Sequence, residues 1–265
     1  RCRSIFPLKN GRTQVSDDNG DTWTNLPDLP LAGDGGELAG SEAGAPRLWA
    51  IIHDGSAREL YRSDDAGQSW IFITSVTDYW ESMAASIVDA DIFAWGGVEV
   101  HRTFNGGNSF AIVNGWGEYY GSPATKLHAD IPGIDVEPVG PNGEIWYIST
   151  DGGLFRSIDR LGSVENMSLD GLRVSQYYTT HTSTVNPNHV LAGAQDQGYQ
   201  RADTAPPPDG VLPFEQLISG DYGHLTSTDG SHDYVYSTYP GFVLVSAGEN
   251  DPDLYFVDFP DGESH

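Results

Sequence analysis

Three aspartates beside glycines are the side chains of this chain best placed to do chemistry. Asp151 follows an apolar run and precedes Gly152 and Gly153, which let a ligand approach the backbone; Asp196 lies in AQDQG and Asp221 in SGDYGH. Two carboxylates facing each other across a cleft, about 6.5–9.5 Å apart, could protonate a leaving oxygen and activate a water. Each of the three also fits a glycine-flanked turn with no chemistry attached. His128 and Asp130 in LHAD are spaced to share one strand face and, with Asp135, could hold a cation; a hydrogen-bonded pair between packed elements uses the same residues. Tyr177 and Tyr178, like Tyr119 and Tyr120, could stack on a sugar ring or be half-buried strand tyrosines.

The elements that would position these side chains are set by a repeat. TQVSDDNGDTW (13–23) and LYRSDDAGQSW (60–70) share Ser-x-Asp-x-Gly-x-(Ser/Thr)-Trp in full. VHRTFNGGNSF (100–110) keeps Thr103, Asn105, Gly107, Ser109 and Phe110, whereas LFRSIDRLGSV (154–164) keeps Ser157 and Asp159 and reads as carrying one extra residue before Gly162. Weaker echoes follow in YQRAD and VLVSAGEN. The anchors fall at 16, 63, 103, 157, 202 and 246, and spacings of 47, 40, 54, 45 and 44 residues match one four-stranded propeller blade each. A short apolar strand runs in phase: LWAII, IFAW, IWYI, VLAG and YVYS. In four of these its second residue lies 10 or 11 positions before the anchor; for Trp49 the distance is 14.

Each repeat is read as a hairpin turn. The Asp or Asn side chain accepts backbone N–H bonds, glycine supplies a positive φ, and the aromatic plugs inward beneath the loop. Ser16, Asp18, Gly20, Trp23, Ser63, Asp65, Gly67, Trp70, Asn105, Gly107 and Phe110 are therefore scaffold residues, with Trp23, Trp70 and Phe110 expected to be largely buried. SDDNGD is not an EF-hand loop, which needs glycine at its sixth and glutamate at its twelfth position.

Composition agrees with an all-β protein. Glycine is 32 of 265 residues and proline 16, and helix-favouring runs are few. With 38 acidic against 13 basic side chains the formal charge is −25, which repels phosphate backbones and anionic membranes. Only two lysines occur, Lys9 and Lys126; an acidic, lysine-poor surface suits a saline or extracellular setting. Cations, calcium among them, are expected to screen that charge and raise stability; no other cofactor is expected, and the identity of any metal is open. No apolar run is long enough to span a bilayer, and the lone Cys2 can form neither an internal disulfide nor a metal cluster.

Ser-x-Asp-x-Gly-x-x-Trp resembles the Asp-box of sialidases, sortilin-type receptors and xyloglucanase-type glycoside hydrolases. Longer stretches, HADIPGIDVEP, IWYISTDGGLFRSID, GLRVSQYYTTHTSTVNPNHVLAGAQDQG and SGDYGH, are similar in order to the secreted bacterial sortilin-like and xyloglucanase-like branch. The resemblance implies a multi-bladed β-propeller, often part of a longer chain. It does not extend to a sialidase's arginine triad, since Arg62, Arg102 and Arg156 occupy the position before the repeat anchor. For the xyloglucanase-like enzymes the resemblance implies Asp151 as a base, in Thr150-Asp151-Gly152-Gly153. The family's second carboxylate has no counterpart, because the comparable turn 182–187 contains no acid.

The expected architecture is thus all-β, five complete four-stranded blades plus a partial one, as a single propeller or a piece of a larger one. The first anchor stands 16 residues into the sequence, so its blade should lack its early strands, and another segment, a neighbouring chain or the two ends together should complete a ring. TAPPPDG (204–210) is expected as a stiff loop between strands, and GDGGELAGSEAGAP (33–46) as a flexible loop on the second blade. The function expected is non-catalytic: a secreted or cell-surface propeller that presents loops to a carbohydrate or a protein. The alternative is a glycoside hydrolase acting on β-glucan chains.

Overall fold

The computed structural model describes residues 4–7, 12–31, 33–41, 43–44, 46–169, 175–208, 210, 212–227, 230, 234–239, 242–246 and 253–256. Cys2 and the residues after Ser246 in the last echo lie outside them. The fold is all-β, a series of antiparallel sheets whose strands follow one another in chain order, as in propeller blades. Blade one has three strands, Ser4–Pro7 (β1), Thr13–Ser16 (β2) and Thr24–Asn25 (β3). Blade two has Gly35–Ser41 (β4), Arg47–Asp54 (β5), Ala57–Ser63 (β6) and Ile71–Ser75 (β7); blade three has Ser82–Ala85 (β8), Phe93–Gly96 (β9), Val100–Thr103 (β10) and Ala111–Ile112 (β11). Blade four comprises Gly133–Val139 (β12), Gly143–Thr150 (β13), Gly153–Ser157 (β14) and Glu165–Asn166 (β15). Blade five comprises Tyr177–Thr182 (β16), Val190–Ala194 (β17), Gly198–Ala202 (β18) and Glu215–Ile218 (β19). Blade six comprises Leu225–Ser227 (β20), Val235–Tyr239 (β21), Phe242–Ser246 (β22) and Asp253–Phe256 (β23). Among the described residues there are therefore five four-stranded blades and one three-stranded blade, in line with the repeat spacing.

The chain forms two compact units. One is Arg1–Thr150 with Leu154–Asn166, holding blades one to four; the other is Asp151–Gly153 with Met167–His265, holding blades five and six. In the first unit β1 packs beside β4, β4 beside β8 and β8 beside β12. Its core is aromatic: Trp49 and Phe93 are fully buried and stacked at 4.5 Å between blades two and three. Strand β13 alternates strictly, burying Glu144, Trp146, Ile148 and Thr150 on one face, which is the period-two pattern of a half-covered strand. In the second unit Leu191, Tyr199, Tyr222 and Val235 form the buried cluster.

All five apolar segments in phase with the repeat are the second strands of their blades. The Trp49 offset has a simple cause: β6 runs seven residues, against four or five for β10, β14 and β18, so the arm before the anchor is longer. Segment 33–46 departs from expectation, since Gly35–Ser41 is strand β4, paired with β5 over seven residues. A Cβ at Gly36 would stand 2.6 Å from the Ile51 carbonyl oxygen, so glycine here serves close strand packing rather than looseness.

The turns before the last strand of blades one to four share one bonding scheme. In blade one Ser16 Oγ donates to Asp18 Oδ1 at 2.8 Å and accepts from the Gly20 amide, while Asp18 accepts from the amide and the hydroxyl of Thr22. Ser63, Asp65, Gly67 and Ser69 repeat this bond for bond, and Thr103, Asn105, Gly107 and Ser109 repeat it with Asn105 Nδ2 donating to Ser109 Oγ. In blade four Ser157, Asp159, Leu161 and Ser163 fill the same places. No residue is inserted there: Leu161 takes the glycine position at φ +66, and Val164 takes the aromatic one.

Burial of the turn aromatics differs from expectation. Trp23 is 38 % exposed, and Trp70 and Phe110 are only half-buried. The bonds inside the turn hold it closed, so the ring is laid across it: Trp23 Nε1 donates to the Gly20 carbonyl at 3.0 Å, and Phe110 lies edge-on to Trp95.

The hydroxyl and amide donors of Thr22, with the Ser16 hydroxyl, hold the Asp18 carboxyl down to about 2. Those of Ser69 and Ser63 lower Asp65, and at Asp159 burial opposes but the Ser163 and Ser157 donors prevail. A carboxyl depressed on folding stabilises the fold above its unfolded pKa and loses that contribution as pH falls through the folded one. Stability is therefore expected to drop between about pH 4 and pH 2. Urea midpoints measured across that range should fall less steeply in a variant carrying Asp18→Asn, Asp65→Asn and Asp159→Asn. Asn105 shows that the turn accepts the amide.

Candidate functional site

Four of the residues singled out by sequence converge at one end of blade five. Strand β17 is buried along its whole length and leads into the turn Gln195–Asp196–Gln197 before β18. Asp196 is 8 % exposed and sits at φ +59, a left-handed backbone that disfavours a side chain. It is fixed there by Asp221, whose Oδ1 accepts the Asp196 N–H at 2.8 Å. The segment carrying Asp221 lies directly on β17: a Cβ at Gly193 would stand 2.5 Å from the Tyr222 carbonyl oxygen, and the Tyr222 N–H donates to Ala194. AQDQG and SGDYGH thus form one structure.

Strand β16 supplies the aromatic side of the site. Its residues alternate, so that Tyr178 is exposed while Tyr177 turns towards the blade. The Tyr178 hydroxyl donates to Gln195 Oε1, tying the exposed ring to the turn. Tyr177 donates to Gln200 Oε1 at 2.8 Å and packs its ring 5.4 Å from Phe214; burial, against a Ser175 hydrogen bond, pushes its hydroxyl above the ordinary tyrosine range. Gln200 in turn donates to the Gln197 carbonyl. The side-chain oxygen of Gln197 is buried and has no hydrogen-bond partner among the described residues. An exposed ring, two amides and two carboxylates are groups that can engage hydroxyls along with an apolar ring face.

Asp151 belongs to the same compact unit, on the turn between β13 and β14. It is exposed and makes no hydrogen bond among the described residues, so the amides of its own turn do not hold it. Asp221 commits one oxygen to a backbone amide, so these acids are not arranged as two unengaged carboxylates.

His128 and Asp130 lie in the first unit. His128 is buried, edge-on to the Tyr119 ring, with its Nε2 3.2 Å from the Tyr120 hydroxyl and its Nδ1 3.2 Å from the Ala129 carbonyl. Asp130 adopts φ +62, and the Asp135 carboxylate accepts its neighbour's amide. Among the described residues no three His, Cys, Asp or Glu side chains are grouped to hold a metal. Tyr119 is fully buried whereas Tyr120 is 42 % exposed beside an exposed Trp116.

One constellation was not read from the sequence. The Tyr79 hydroxyl donates to Glu37 Oε2 at 2.5 Å. Desolvation raises the Glu37 carboxyl despite that bond, and the charge of Glu81 adds to the rise. Glu81 itself adopts φ +58 next to an exposed Trp80. DYWE (78–81) is its only local trace, since Glu37 lies 42 residues from Tyr79 and reaches it because β4 packs beside β8. A pocket of about 430 Å³ lies elsewhere in the first unit, lined by Arg47, Asp64, Asp89 and Asp91. Arg47 is already paired there with Asp64 and Asp91.

No helix among the described residues is long and apolar enough to cross a membrane. No protein-family model matches the chain. No curated protein matches it either. Among solved structures it is similar to a GH74 enzyme of Niastella koreensis, at 13 % identity and a TM-score of 0.45 over 95 % of this chain and 43 % of that one. It is also similar to the GH74 xyloglucanase of Xanthomonas campestris, at 14 % identity and a TM-score of 0.44 over 96 % and 43 %. A third similarity is to YCF48 bound to D1 peptide, at 11 % identity and a TM-score of 0.40 over 96 % and 78 %. The chain spans less than half the length of these two GH74 structures.

Proposed function

We propose that this chain is a non-catalytic, exported propeller protein of the Asp-box class, in its sortilin-like and xyloglucanase-like branch, that binds carbohydrate at the blade-five site. The observation that carries the reading is the Gln195–Asp196–Gln197 turn. A strained, buried aspartate is held in place by Asp221, an orphaned acceptor sits on Gln197, and Gln195 is tied to an exposed tyrosine ring. Strained residues gather where ligands are held, and an unpaired buried acceptor costs about 1–3 kcal/mol unless a ligand hydroxyl supplies the donor. The acidic, lysine-poor composition supports a neutral ligand and an extracellular setting. Hydrolysis is the second reading, favoured by Asp151, an unengaged carboxylate in the compact unit that holds the site.

Affinity electrophoresis in gels containing xyloglucan or mixed-linkage β-glucan tests both readings. Retardation without release of reducing ends is expected, and Tyr178→Ala should weaken binding about tenfold, the equivalent of roughly 1.4 kcal/mol. Free migration in both gels would defeat the carbohydrate reading. Reducing-end release that vanishes in Asp151→Asn would replace it with the hydrolase.

A further inference from the structure

The repeat places an arginine immediately before the anchor in blades two to five: Arg62, Arg102, Arg156 and Arg201. Three of them have acidic partners inside the blade. Arg62 Nη2 is 2.8 Å from Asp64, and its Nη1 donates to the Gly106 carbonyl of blade three. Arg156 Nε is 2.8 Å from Glu165 on the paired strand, and Arg201 lies 2.6 Å from Asp203 and 3.9 Å from Glu215. The partners come from two fixed places, the residue after the anchor and the residue opposite on the fourth strand.

In blade three both places are apolar. Phe104 stands where Asp64 and Asp203 stand, and Ala111 is opposite Arg102 where Glu165 is opposite Arg156. Arg102 Nε and Nη1 are buried without a hydrogen-bond partner among the described residues, and the guanidinium lies 5.1 Å from the centroid of the Phe104 ring. Burial lowers its pKa, and the charge of Asp159 opposes that. Phe104 is nevertheless 50 % exposed, and blade four repeats the exchange with Ile158, 75 % exposed at the same repeat position. Acids thus give way to exposed apolar side chains on two neighbouring blades, in one of which the arginine has neither acidic partner.

We propose that this end of blades three and four docks a protein segment carrying a carboxylate flanked by apolar side chains, the carboxylate pairing with Arg102 and the apolar groups covering Phe104 and Ile158. A partly buried guanidinium with unpaired donors costs stability, and a partner's carboxylate supplies what the blade omits. Nε and Nη1 are enclosed, so the carboxylate meets the guanidinium at Nη2. A molecule with a charge of −25 repels an acidic segment at long range, so the contact must be local and desolvated. Salt then screens the repulsion more than the contact.

The probe is a fluorescent peptide with the core Leu-Glu-Leu, set against its Leu-Gln-Leu twin and read by anisotropy. The expected result is at least tenfold tighter binding of the glutamate peptide, not weakened between 0.05 and about 0.5 M salt. Arg102→Met should abolish the preference without lowering the melting temperature, whereas Arg62→Met, which breaks existing pairs, should lower it. Phe104→Asp, which installs the acid used by blade two, should raise the melting temperature and abolish binding. The proposal is overturned if the two peptides bind alike or not at all, or if Arg102→Met destabilises as much as Arg62→Met. It also falls if Phe104→Asp, folded, still binds.

Discussion

Glu144→Ala is expected to destabilise the first unit by about 3–5 kcal/mol, the range for removing one member of a buried charged network. Glu144 is only 5 % exposed, on the buried face of β13, and it ties blade four to blade three. Ser86 Oγ donates to it at 2.8 Å, the Ile87 amide at 2.9 Å and Trp146 Nε1 at 3.0 Å. Arg160 Nε, 3.7 Å away, adds a weaker attraction. Alanine would leave three donors unsatisfied and a void beside the fully buried Trp146. Glu144→Gln preserves the volume but turns an amide N–H2 towards groups that themselves donate, so an intermediate loss of about 1–3 kcal/mol is expected. Denaturant titrations followed by tryptophan fluorescence check both. A cost below about 1 kcal/mol for the alanine variant would mean that water replaces the carboxylate without penalty.

The second large effect concerns Leu161, where two rules of substitution conflict. The side chain is fully buried in the core of blades three and four, so Leu161→Ala should cost about 2–5 kcal/mol. Leu161 also occupies the turn position held by glycine in blades one to three, at φ +66, where a Cβ is unfavourable by about 1–2 kcal/mol. Leu161→Gly removes the same packing but relieves that strain, so it should be less destabilising than alanine. This inverts the usual order, since glycine elsewhere frees the unfolded chain and costs more. Unfolding midpoints of the two variants decide the matter, and a glycine variant less stable than the alanine one would show that the turn carries no strain there.

Leu161 also marks the boundary between what residue types determine and what packing decides. Blade number, the order of strands and the turn chemistry were legible because they are local. A serine, an acid two residues on and a hydroxyl four residues beyond that suffice to close the turn, and the apolar segments recur in phase with it. In the blade-four turn the residue types suggest an insertion only because glycine is the usual occupant of that position. A leucine can hold the left-handed position when burial in a neighbouring blade compensates, and nothing within eleven residues reveals that burial. The glycine-rich segment 33–46 shows the same limit: its composition resembles a loop, but a seven-residue ladder with β5 makes Gly35–Ser41 a strand.

The site divides in the same way. Tyr177, Tyr178, Asp196 and Asp221 stand out as residue types, yet only the fold ties the Asp196 amide to Asp221 and assigns His128 and Asp130 to the other unit. Which tyrosine faces solvent follows from strand alternation, which adjacent identical letters cannot show. The Glu37–Tyr79 bond appears only when segments distant in sequence lie side by side. Sequence by itself determined the local, period-bound features of this protein, because short-range sterics and hydrogen bonds set them. Tertiary structure decided burial, strain and pairing, because those depend on which strand comes to lie against which.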